Sequence, residues 1–155
     1  MSFVQNFPFF SIILCLLCAV VTFVAGDKWG RRLTIALLSV SVVLQSCVLW
    51  FCAAGNTSYT YMMGHFPAPW GNEIAAGIIE PLMALLFSVV MLLSVLGGME
   101  RIMKDVPDNR RHLYWSMVDL TLVSLLALSY TNDIFTGYVF IEICTIASCA
   151  LLAAR

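Results

Sequence analysis

Apolar residues fill most of this chain in long runs, and the charged and turn-forming residues fall in short clusters between them. Runs at about 9–25, 33–54, 81–103, 113–129 and 134–154 come close to or exceed the ~20 apolar residues that carry a helix across a ~30 Å hydrocarbon core. Inside lipid every backbone donor and acceptor must be satisfied within its own segment, so each run predicts a transmembrane helix. The expected fold class is an all-α membrane protein, with about five transmembrane helices forming a single domain over residues 1–155. No Lys or Arg precedes the first run, which is longer than a usual signal core, so it reads as a retained helix.

The stretches between the runs differ in kind. Residues 27–32 (DKWGRR) read as a loop, and 100–112 (ERIMKDVPDNRRH), broken by Pro107, as a charged connection in water. Residues 55–79 carry no Lys or Arg, are rich in aromatics, and place Pro67 and Pro69 in an FPAPWG turn. A helix begun at Glu73 would hold Pro81 in its interior, where proline removes a donor and clashes with the preceding turn. Proline suits the first helical turn, so the third helix is expected to start at about Glu80 or Pro81, with 72–79 extended as part of a short outer β-hairpin-like loop.

Composition narrows the class further. With 61% hydrophobic and 11% charged residues and a mean hydropathy of +0.94, the soluble classes drop out. A net charge of -1 without a basic, aromatic-interleaved patch gives no sign of a nucleic-acid partner. Cys15, Cys18, Cys47, Cys52, Cys144 and Cys149 all lie in or beside the runs and lack the loop context of a zinc or redox site, so packing is their expected role and no metal is expected. No spacing suggests haem, flavin, nicotinamide or iron–sulfur binding, so no cofactor and no catalytic redox site are expected in this chain.

Orientation follows from the basic residues. Lys28, Arg31, Arg32, Arg101, Lys104, Arg110, Arg111 and Arg155 fall in the first connection, the third connection and the C-terminus, and none falls elsewhere. The positive-inside rule then predicts a multi-pass cell-membrane protein with its N-terminus outside and its C-terminus cytoplasmic.

Candidate chemistry rests on two acids. Glu142 stands in the middle of the last apolar run and Asp119 within the fourth. An ionisable group at such a depth is costly and reads by default as part of a proton or ion pathway, the alternative being a hydrogen-bonded packing role. Both acids lie similarly far from the turn joining their helices, hence at similar depth. If they meet, both cannot stay ionised in a low-dielectric site; if Asp119 turns toward another helix they are uncoupled, and depth leaves azimuth open. Glu80 reads as a helix-start acid that can satisfy free backbone donors. His65 and His112 read as surface or interfacial residues.

Two stretches carry a family resemblance. The segment TNDIFTGYVFIEICTIASCALLAA resembles the fifth-helix region of the antiporter-like proton-translocating subunits of Mrp-type cation/proton antiporters, NADH-quinone oxidoreductase and membrane-bound hydrogenases, and HFPAPWGNEIAAGIIEPLMALLF resembles their outer hairpin and third-helix start. The resemblance implies that the chain corresponds to the N-terminal part of a longer subunit. It implies that Glu142 is the fifth-helix acid used in moving protons and that Glu80 stands where the family usually has Asp; it gives Asp119 no counterpart. Family members pair the fifth-helix acid with a lysine on a later helix, and this chain has no intramembrane lysine. Implied partners are therefore other membrane subunits, one of them supplying the later helices and that lysine. The competing readings are a non-transporting structural or assembly subunit and a small homodimeric proton-coupled transporter.

Overall fold

The computed structural model describes residues 3–55, 58–62 and 73–154. Five helices carry the chain: α1 Phe7–Ala25, α2 Asp27–Gly55, α3 Ile79–Asp105, α4 Arg111–Tyr130 and α5 Ile134–Ala153. All five are long and apolar enough to cross a membrane. Strands β1 (Tyr59–Met62) and β2 (Glu73–Ala76) pair antiparallel ahead of α3, with Tyr59 opposite Ala76 and Met62 opposite Glu73. His65 and the FPAPWG turn lie outside the described residues.

The DKWGRR stretch, expected as a loop, forms the first turns of α2, and a single residue, Gly26, links α1 to α2. Gly26 stands at φ 79° and ψ 175°, a region open essentially to glycine alone. That conformation reverses the chain without a loop. Asp27 then sits in the first turn of α2, where a carboxylate suits the positive helix end. Its side chain accepts from Trp115 Nε1 at 3.1 Å and faces the Arg111 guanidinium at 3.9 Å. Arg111 also donates to the backbone carbonyls of Met103 and Val106 and pairs with Asp108, so one residue ties together the end of α3 and the starts of α2 and α4. The charged connection expected over 100–112 is shortened accordingly, because α3 continues to Asp105.

At the other end of the bundle, β2 lies against the α4–α5 turn: Asn132 N donates to Glu73 O at 2.9 Å, and Ile74 bridges to Thr131. Ile74 and Ala76 are buried while Glu73 and Ala75 are only half-buried, the period-two alternation of a strand with one covered face. Tyr59 on β1 has its phenol pushed up to about 12, first by burial and then by the neighbouring Cys52 thiol.

Apart from the central helix α4, the helices bury mostly small and polar residues. In α1 the buried residues Pro8, Ser11, Cys15, Ala19 and Thr22 recur every three or four positions, while Leu17, Val20 and Val24 face outward. Lipid is as apolar as leucine, so large apolar side chains gain little by burial; small and polar residues let helices approach and bond across the seam. Ser41 of α2 meets Ser88 of α3 at 3.0 Å, and Gln45 Nε2 donates to Ser11 Oγ at 3.2 Å while Gln45 Oε1 accepts from the Tyr130 hydroxyl. α4 is the central helix, packed against α1, α2, α3 and α5, and it supplies the large core side chains Trp115, Leu122, Leu126 and Tyr130.

Candidate ion-path residues on two sides of α4

α5 is held at both ends. At its start Asp133 caps the helix, accepting from Thr136 N at 3.0 Å, Thr136 Oγ1 at 2.8 Å and Phe135 N at 3.4 Å. The Thr136 hydroxyl first, with the backbone donors, keeps the Asp133 carboxyl below the usual carboxylate range. At its far end Arg110 reaches the Ala153 carbonyl at 3.4 Å. Between these ties α5 buries only Gly137 and Ala147. A side chain built on Gly137 would meet Thr131 Cγ2 at 3.5 Å and Leu128 Cδ1 at 3.9 Å, so α4 and α5 approach closely there.

The small residues fix the azimuth of Glu142. Gly137 and Ala147 mark the α4-facing seam, and Glu142 falls midway between them; at ~3.6 residues per turn it lies on the opposite face of the helix, about 180° from the centre of that seam. Glu142 is accordingly exposed. Its surroundings are apolar, with Ile141 at 50% and Ile146 at 66% exposure, except for Tyr138 one turn earlier, whose hydroxyl lies against the Glu142 carboxyl. No ion pair reaches Glu142 among the described residues.

Asp119 faces the other way. It is wholly buried, and its Oδ2 accepts from Thr22 Oγ1 of α1 at 3.0 Å. The Thr34 hydroxyl of α2 borders the same carboxyl. Neither Asp119 Oδ1 nor Thr34 Oγ1 makes a hydrogen bond among the described residues. The two acids are therefore not one site within this chain: Asp119 belongs to the α1–α2–α4 junction and Glu142 to the outer face of α5.

Glu80 sits in the first turn of α3, where its Oε2 accepts from Gly77 N at 2.7 Å, closing the bend between β2 and the helix. His112 stands near the start of α4 with its ring 5.6 Å from Phe23. All six cysteines are free, and among the described residues no three His, Cys, Asp or Glu side chains converge as metal ligands. Reading the acids alone missed Thr22, Thr34, Ser11 and Gln45. Their signal was present as polar residues recurring at helical spacing inside apolar runs.

No protein-family model matches the chain. In sequence it is 27% identical over 150 residues to the D subunit of the Na(+)/H(+) antiporter of Bacillus subtilis (strain 168), covering 96% of this chain and 30% of that protein. It is 29% identical, over 96% of itself and 29% of the relative, to the putative antiporter subunit mnhD2 of Staphylococcus haemolyticus (strain JCSC1435). In fold it matches a chain of the membrane-bound sulfane sulfur reductase, an archaeal respiratory membrane complex, with a TM-score of 0.81 at 21% identity, over 92% of this chain and 29% of that one. A chain of the Mrp complex from Dietzia sp. DQ12-45-1b matches with a TM-score of 0.79 at 16% identity, over 96% and 27% respectively. The chain is a multi-pass membrane protein that resembles the antiporter-like membrane subunits in both sequence and fold, and it spans about three tenths of their length.

Proposed function

We propose that the chain is part of a proton- or Na+/proton-translocating subunit of a multi-subunit membrane complex, of the Mrp antiporter, NADH-quinone oxidoreductase or membrane-bound hydrogenase type, in which Glu142 and Asp119 belong to the ion path. The observation that carries this reading is the exposed acid on α5. A carboxylate at mid-span on an apolar, unpaired helix face is unstable against lipid, so that face is built to be covered by polypeptide from outside residues 1–155. The covering helix brings a cation, a lysine by family resemblance, to Glu142. Moving that cation toward or away from Glu142 changes the acid's preference for a proton, which is how a distant event becomes proton uptake or release. The sequence relatives support it, since one is named as part of a Na(+)/H(+) antiporter.

Proteoliposomes holding residues 1–155 alone are expected to pass no protons above the level of empty vesicles, whereas those holding the assembled complex do. Flux through the lone chain that Glu142→Gln abolishes would show that no covering helix is needed, and the reading would fall.

For orientation we place the N-terminus and the β1–β2 hairpin outside and the α3–α4 connection in the cytoplasm, on the strength of the basic residues at one end only. Ser58 and Asn109 are both exposed and at opposite ends. In a cysteine-free background, an impermeant thiol reagent added outside should label Ser58→Cys and spare Asn109→Cys; the reverse pattern inverts the orientation.

A further inference from the structure

Asp119 places a carboxyl group inside the bundle, and among the described residues no positively charged group pairs with it. On α1 its ionisable neighbours are the Cys15 and Cys18 thiols. The basic residues at the start of α2 fall short of it, and only the Thr34 hydroxyl reaches the carboxyl from that helix. α3 has no ionisable side chain from Pro81 to Met99, and the acid of α5, Glu142, points outward. On α4 itself His112 is about two turns away and packs on Phe23. A buried carboxylate without a partner is not tolerated; it is paired, it holds a proton, or it coordinates a cation.

The surrounding oxygens say what kind of cation. Carboxyl and hydroxyl oxygens from α1, α2 and α4 converge here, and two of them, Asp119 Oδ1 and Thr34 Oγ1, are buried without a hydrogen bond among the described residues. The Thr22 hydroxyl is 3.0 Å from Asp119 Oδ2 and also 3.0 Å from the Ala19 carbonyl. Its proton can therefore turn to Ala19 while its lone pair faces the site. All-oxygen ligation suits hard cations over transition metals, and a single carboxylate balances one positive charge, not two.

We propose that Asp119, Thr22 and Thr34 form a binding site for one small monovalent cation, with a proton and a sodium-sized ion as alternative occupants. With the proton bound, Asp119 is neutral and Thr22 donates to Oδ2, while the Thr34 hydroxyl borders the carboxyl. With the larger ion bound, Thr22 turns to the Ala19 carbonyl and the three side chains act as ligands. Binding of one ion expels the other, and the charge of the site stays constant. This deepens the transport reading, on which only the onward movement of the ion rests.

Infrared difference spectra of the purified chain at fixed pH, with choline chloride exchanged for NaCl, test it. Na+ should remove a protonated-carboxyl C=O band that is missing in Asp119→Asn and retained in Glu142→Gln. Thr34→Val keeps the charge and shape of the site and removes one ligand; it should raise the Na+ needed by at least about tenfold, and it stands in if Asp119→Asn fails to fold. An Asp119 band unmoved by Na+ and Li+, or a Thr34→Val response equal to the wild type, overturns the proposal. A Na+-sensitive Asp119 band in a complex whose transport survives Glu142→Gln would keep this site and sink the transport reading instead.

Discussion

Glu142→Gln in the assembled complex should reduce proton-coupled transport to the level of empty vesicles while leaving the five-helix unit at least as stable as before. The two halves of that result come from one geometric fact. Glu142 lies opposite the Gly137 and Ala147 seam and makes no ion pair among the described residues. Its replacement by an amide of the same shape therefore removes no packing, and because an acid facing lipid is itself unfavourable, the change should not lower stability. The amide can still accept from Tyr138. It cannot take up or release a proton, and it offers no charge to a cation on a covering helix. Glu142→Asp retains the charge but withdraws it by one methylene, so intermediate transport is expected, with Glu above Asp above Gln. Helix content and thermal unfolding of the purified chain measure the first half, and a pH-sensitive dye in proteoliposomes the second. A Glu142→Gln complex that keeps at least half of the wild-type flux would remove Glu142 from the path.

The five spans were legible in the sequence because lipid leaves the backbone no alternative to helix, so run length alone decides. The start of α2 was not. Hydropathy reads Asp27, Lys28, Arg31 and Arg32 as loop, whereas Asp27 is made helical by Trp115 and Arg111, residues far along the chain on another helix. The hairpin was foreseeable from Pro81, but its seat against Thr131 and Asn132 depends on tertiary contact. For the two acids, depth could be read from distance to the turn, and azimuth needed the small residues as well. Gly137 and Ala147 mark the seam of α5, and Ser11, Cys15, Ala19 and Thr22 mark that of α1. Once those stripes are known, Glu142 must face out, and a buried Asp119 has Thr22 within reach. The polar core residues went unnoticed because soluble proteins teach the opposite pattern, with large apolar side chains inside.

Trp115→Ala should be the most destabilising single change in the α1–α2–α4 junction, at about 3 kcal/mol or more. The ring is fully buried, stands edge-on to Tyr114 with centroids 5.4 Å apart, and fills the space beside Gly30, where an added side chain would meet Trp115 Cδ1 at 3.6 Å. Bilayer insertion already removes apolar surface from water, so the loss here is of dispersion contacts and of a filled cavity, not of the full transfer energy. The indole N–H adds a separate contribution through Asp27 at 3.1 Å. Trp115→Phe isolates it: most of the ring volume remains, the donor is lost, and among the described residues Asp27 keeps only the more distant Arg111, so about 1 to 2 kcal/mol is expected. Asp27→Asn should cost less than Trp115→Phe, because the amide oxygen still accepts from the indole. Unfolding of the purified chain in mixed micelles by added denaturing detergent gives the three values on one scale. If Trp115→Ala costs less than about 1 kcal/mol, the cavity collapses around the missing ring, and the charged first turns of α2 must be held to the bundle chiefly by Arg111.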